Sequence, residues 1–398
     1  MSSSLRAAAG KVKITPEEET VLAGFGRSGL QVAHPPKDIL DDLYARFLIL
    51  DDGRQRSLIL SIDCVWANEE PSRLLEMFPP GTRYGWAQAA GTDEANVQVC
   101  ATHTHAAPSH YNEKYIARIR EKIREMATKL VPVQVNISIG SSAISAYRRP
   151  TLFPNPDVPI DRTLYALMLE KEDGAPVAVL INFAVHPTIL HPSAVQQPNR
   201  VSTECVGMAM NELEAHMGGG FVSLFTQGFS GDVAPVLPGI GTLEDSYGNV
   251  KKAGRQLFVD IIRALEDKRE ITGPTLRTAQ RKVNIPTRDG HLQPFLAGVV
   301  SGISLGEVAL LFAPGEIFNG YVSKIKQRSP FAYTIPISLT NEYIGYIPTA
   351  EAFRDGKGGY EMEATPFDER VDQILLDTSA KVLEDIRMQG GKGKDVQL

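Results

Sequence analysis

Val97-Gln-Val-Cys-Ala-Thr-His103-Thr-His105-Ala-Ala-Pro-Ser-His-Tyr111 is the stretch from which the rest of the chain can be read. Val97, Val99 and Ala101 alternate with Gln98, Cys100 and Thr102, the period of a β-strand. The run then breaks at His103-Thr-His105 and an Ala-Ala-Pro that cannot continue a ladder. Residues i and i+2 of a strand share a face, so both imidazoles are expected to project together at the strand's C-terminal end. That is the end at which open α/β sheets hold ligands. Histidine is scarce, eight in 398 residues, and three fall between His103 and His110.

The same grammar recurs down the chain. An apolar strand over Val177 to Ala184 delivers His186 immediately before Pro187. Phe221 to Thr226 runs into Gln227-Gly-Phe-Ser-Gly-Asp232-Val-Ala-Pro235, and Glu307 to Phe312 stops at Ala313-Pro-Gly-Glu316. Tyr333 to Leu339 leads to Asn341-Glu-Tyr-Ile-Gly-Tyr346-Ile-Pro. Two or three imidazoles, a glutamate and a phenol at strand ends form the N and O donor set of a catalytic zinc, which takes about three protein ligands and keeps a position open. Spacing alone does not bring these positions together.

Between them lie hairpins at 44–65 and 163–184, turning on Asp51-Asp-Gly and Asp173-Gly174. Amphipathic helices are predicted over 112–130, 202–217, 249–269 and 366–388, with short ones at 71–78 and 316–327. No internal repeat is evident. The reading is a single α/β domain over 1–389, with mixed β-sheet flanked by helices, and a disordered glycine- and lysine-rich tail over 390–398. Net charge −6 and the lack of a long basic run argue against nucleic acid. No stretch approaches a membrane span or a signal-peptide core. Cys64, Cys100 and Cys205 form no Cys-x-x-Cys, so a reduced, cytoplasmic protein is expected. Asp63, in an apolar strand, needs a charged partner or a nearby metal. Leu22-Ala-Gly-Phe-Gly-Arg-Ser-Gly29 reads as a loop passing close to the site, and His34, His191, His216 and His291 as ordinary surface or loop residues.

In order along the chain, Ala-Thr-His103-Thr-His105-Ala-Ala-Pro, the strand ending at His186, Gly231-Asp232-Val-Ala-Pro, Pro314-Gly-Glu316 and Tyr343-Ile-Gly-Tyr346-Ile-Pro-Thr resemble the catalytic domain of the neutral/alkaline ceramidases. The resemblance implies that His103, His186, Glu316 and Tyr346 bind Zn2+. It makes His105 a donor to the developing oxyanion and Asp232 the base beside a zinc-bound water that attacks an N-acyl amide. It also places Arg148 or Arg149, with Arg149 preferred, near the amide carbonyl, and Tyr360 at the pocket. Ala234 stands where the family has serine, which removes a serine nucleophile there and leaves the water mechanism. The family's C-terminal β-sandwich has no counterpart in this sequence, and no export signal is evident. The expectation is therefore a zinc amidohydrolase acting on a soluble, small-molecule N-acyl metabolite rather than membrane ceramide.

Rival readings are a metal-dependent esterase or lactonase on the same scaffold and a non-catalytic metal-containing binding module. Gly228-Phe-Ser230-Gly-Asp232 lacks the final glycine of a nucleophile elbow. The hairpins argue against a regular (β/α)8 barrel.

Overall fold

The structure is a computed structural model that describes residues 4–24, 31–69, 76–151, 153–191 and 199–389. The expected 390–398 tail lies outside the described residues, as do most of the glycine loop after Gly24 and most of the helix expected over 71–78.

Three sheets carry most of the chain, two of five strands and one of four, and they share one four-stranded topology. In the first, Arg6–Lys13, Tyr44–Asp51 and Arg56–Ile62 run antiparallel in spatial order, and Val97–Ala101 then joins Arg56–Ile62 in parallel. The second repeats this with Gln134–Ser141, Thr163–Glu170, Pro176–Phe183 and the parallel Val222–Gln227. The third does so with Leu276–Pro286, Phe295–Leu305, Val308–Phe312 and the parallel Tyr333–Ile337. Short strands extend the first two sheets at one edge (Val131–Pro132 and Lys268–Glu270). Each parallel connection contains a helix: Thr82–Ala90, Glu204–Met217 and Tyr321–Arg328 in turn. Each unit then closes with a longer helix, Glu113–Met126, Leu243–Leu265 or Arg370–Met388, which packs on its first strand. The repetition is of topology, and side chains that need only be apolar on the right faces preserve no sequence period.

Burial follows from this arrangement. Leu48 and Leu50, Leu167 and Leu180, Leu310 and Phe312 point inward from the three sheets into one shared core. The alternate residues face outward and form a separate core with each sheet's own helices: Phe47 with Trp86 and Ile119, Phe183 with Cys205 and Leu257, Leu311 with Ile325 and Val382. Strands covered on both faces lose polar alternation, which is why Tyr44–Asp51 and Pro176–Phe183 read as nearly continuous apolar runs.

The hairpins and the helix at Glu113–Met126, capped by Asn112, agree with the sequence reading. The long helix runs Leu243–Leu265 rather than 249–269, because the Thr242 hydroxyl accepts from the Asp245 N–H at 3.1 Å and starts it early. Strand Phe295–Leu305 was missed. Its Gly298 and Gly302 look like breakers, yet a Cβ on Gly302 would stand 2.3 Å from Ile386 Cδ1, so glycine is what lets the closing helix lie close. Because the central core joins all three units, Leu310→Ala is expected to cost about 2–5 kcal/mol, whereas the exposed Ile139→Ala should change stability by less than about 0.5 kcal/mol; urea unfolding of the two variants checks this.

Candidate metal centre and active site

The three parallel strand pairs point the same groups toward one end of the molecule. The first unit supplies His103 and His105 after Val97–Ala101, and the second supplies His186 after Pro176–Phe183 and Asp232 after Val222–Gln227. The third supplies Glu316 after Val308–Phe312 and Tyr346 beyond Tyr333–Ile337, and Glu316–Ile317 and Tyr346–Ile347 pair in parallel.

His103 Nε2 lies 3.1 Å from His186 Nε2 and 3.3 Å from His105 Nε2. Strand periodicity puts both members of the His-x-His on one strand face. They do converge, but by another route. The strand ends at Ala101, and His103 adopts a left-handed backbone (φ 70°), held by its N–H to the Cys64 carbonyl at 2.9 Å. The two rings stand nearly perpendicular, at 80°. A left-handed histidine carries strain of roughly 1–2 kcal/mol, maintained here by the surrounding bonds.

Each imidazole is oriented through its other nitrogen. Nδ1 of His103 donates to the Val65 carbonyl at 2.8 Å, that of His105 to Gly24 at 3.1 Å, and that of His186 to Ser230 at 3.3 Å. A carbonyl only accepts, so these bonds place the hydrogen on Nδ1 and leave a lone pair on each Nε2. Three lone pairs therefore face one another. Burial, with the Arg148 charge nearby, pushes His105 and His186 well below the ordinary imidazole range, so they are neutral. Glu316 Oε2 sits 3.3 Å from His103 Nε2 and 3.7 Å from His186 Nε2, and it accepts no hydrogen bond. Burial opposes ionisation of Glu316, but His103, Tyr346 and Arg148 outweigh it and hold the carboxyl below its usual range. Converging neutral imidazoles plus an unpartnered buried carboxylate oxygen are the donor set of a divalent cation, and the residues fit one. A cation there satisfies all four atoms at once.

The other expected residues divide. Tyr346 is buried against Glu316, and Arg148 Nη2 donates to its hydroxyl at 3.3 Å. Arg148 also donates to the Gly231 carbonyl at 2.8 Å, and its Nε lies 2.7 Å from Glu361. Burial opposes the Arg148 charge, while Tyr346, Glu361 and Glu316 hold it on. Arg149, the preferred arginine of the sequence reading, turns the other way, donating to the Gly358 carbonyl at 2.9 Å with Asp355 at 3.4 Å. Adjacent residues on an extended backbone face opposite sides, so only one of the pair can reach the centre. Its place is taken by Arg148. Asp232 accepts from the Asn319 N–H at 2.7 Å, and its own carbonyl accepts from Arg148 N–H at 3.1 Å. Burial raises the Asp232 carboxyl to about 6. Tyr360 meets the Tyr346 ring edge-on at 5.8 Å.

Asp63 is paired rather than at the centre: it accepts from Tyr44 N–H at 2.8 Å and Thr102 Oγ1 at 3.1 Å, with Arg46 at 3.6 Å. His191 is half-buried in a loop, where burial and the Arg148 charge lower its pKa. Sequence reasoning missed Glu361 and gave Tyr343 no role of its own. Tyr343 stood in the open, three residues from Tyr346 inside the same motif. A polar cleft of about 1050 Å³, lined by Arg56, Asn96 and Arg277 among others, lies by the opposite strand ends and includes none of these residues.

The fold and centre define a ceramidase-like α/β architecture closed around a histidine cluster. Among solved structures, the chain is similar to a ceramidase complexed with C2 (TM-score 0.77, 18% identity, covering 96% of this chain and 76% of that one). It is similar also to the neutral ceramidase from Pseudomonas aeruginosa (TM-score 0.76, 18% identity, 97% and 75% covered). At such identity the likeness establishes a shared fold. No family model matches the chain, and no curated protein matches it by sequence.

Glycine lets the second unit approach the third. A Cβ on Gly231 would stand 2.6 Å from the Glu316 carbonyl oxygen, a backbone atom that cannot rotate aside. Gly231→Ala is therefore expected to destabilise by about 1–3 kcal/mol and to weaken binding of any divalent cation at the centre, measured together by unfolding and metal titration.

Proposed function

We propose that this chain is a zinc-dependent amidohydrolase that cleaves the N-acyl amide of a small soluble molecule in the cytoplasm. The observation that carries the reading is the set of three Nε2 lone pairs converging on the unpartnered Oε2 of Glu316. His103, His105 and His186 through Nε2 and Glu316 through Oε2, with the Tyr346 hydroxyl beside them, would hold the ion; with its hydrogen on Nδ1 toward Gly24, His105 would offer the ion a lone pair in place of the oxyanion donor that the resemblance implies. When bound, zinc lowers the pKa of water and polarises a carbonyl.

The chain's own groups supply the remainder. Asp232, raised to about 6, is ionised at neutral pH yet basic enough to take a proton from water and return it to the leaving amine. Arg148 keeps a fixed positive charge beside Tyr346, where negative charge would gather on the carbonyl oxygen. Ala234 carries no hydroxyl, which leaves water as the nucleophile there. No helix among the described residues is long and apolar enough to cross a membrane.

Chelation should abolish turnover of N-acyl amides and zinc should restore it; a metal-loaded protein inert toward fatty, aromatic and aminoacyl amides, esters and lactones would support the binding-module reading instead. Asp232→Asn should lower kcat by roughly 10²–10⁴-fold while zinc content is unchanged. Since Asp232 works ionised, kcat/KM should fall as pH drops through about 6 or somewhat below, and the Asn variant should lose that limb.

A further inference from the structure

We infer that Tyr343, packed against Trp66, is the positioning residue that presents Glu316 to the metal through a single oxygen; this rests on the zinc-dependent reading above. The three imidazoles are oriented by main-chain carbonyls, those of Val65, Gly24 and Ser230. The carboxylate is oriented by a side chain: the Tyr343 hydroxyl donates to Glu316 Oε1 at 2.9 Å. That bond occupies Oε1 and leaves Oε2, with no hydrogen bond of its own, turned toward His103 and His186. A carboxylate free to rotate could take the ion with both oxygens or neither. Tied at one end, it offers one.

The phenol is itself fixed. Its ring lies 4.7 Å from that of Trp66, at 34°. Trp66 follows Val65, whose carbonyl holds His103, and the Trp66 carbonyl accepts from Cys64 Sγ at 2.9 Å. The aromatic pair thus joins the segment that orients a ligand of the first unit to the group that orients a ligand of the third. Contacts behind a metal's own ligands commonly change affinity by about 10–100-fold when removed.

The test is zinc affinity of the full chain, by competition with a chromogenic chelator, and the visible spectrum of the cobalt-substituted protein. Tyr343→Phe, which keeps the ring against Trp66, should weaken zinc by about 10–100-fold and alter the cobalt spectrum as the carboxylate changes its mode of binding. In a Glu316→Gln background the same substitution should have almost no further effect, because Tyr343 acts through that carboxylate. Trp66→Leu, which keeps the hydroxyl and removes its support, should give an intermediate loss. Unchanged affinity and cobalt spectrum in Tyr343→Phe, or an equal loss with and without Glu316, would overturn the inference while leaving the zinc reading intact. A wild-type chain that binds neither ion would overturn the reading itself. Should Tyr343→Phe fail to fold, Trp66→Leu with wild-type affinity would overturn the inference alone.

Discussion

Everything at the candidate centre depends on where three imidazole hydrogens sit. Backbone carbonyls at Val65, Gly24 and Ser230 fix them on Nδ1, so three Nε2 lone pairs face inward with a bare carboxylate oxygen beside them. Like-charged electron density at 3.1 Å has no reason to converge unless something positive belongs between. Because the orienting groups are main-chain atoms of three different loops, the centre is a property of the fold and not of any one segment.

The fold can provide this because it says the same thing three times. Each unit lays down an antiparallel hairpin, crosses over through a helix and returns in parallel, so that each presents two adjacent strand ends at one pole. Pooling two ends from each of three sheets gives a compact set of positions, held by one shared core. In the first unit the equivalent position after Arg56–Ile62 is Asp63, which is spent on Arg46 and Thr102 and so braces the turn that carries His103. The units differ in chemistry while sharing their geometry.

Charge placement around the centre follows the same economy. Fully buried Glu361 lies against Arg148, which keeps the guanidinium charged at Tyr346, and burial lifts Asp232 toward neutrality instead of leaving it an ordinary aspartate. A buried arginine without such a partner would be costly to fold, and so would a buried carboxylate at full charge. Here each has an answer. The proximity of Arg148 holds the Asp232 carboxyl down in part, and the presence of Glu361 pushes it up.

By itself the sequence determined most strands, most helices and the identities of the polar residues that end them, because alternation, proline and glycine are local signals. It therefore contained His103, His105, His186, Asp232, Glu316 and Tyr346 as candidates before any contact was known. It did not contain their convergence, the left-handed turn at His103, or the choice between Arg148 and Arg149, since each depends on atoms from other units. Nor could it reveal strand Phe295–Leu305, where glycines serve a helix packed from far along the chain. Only the tertiary structure decided which donors share a point in space, because distance across a sheet edge leaves no trace in spacing along the chain.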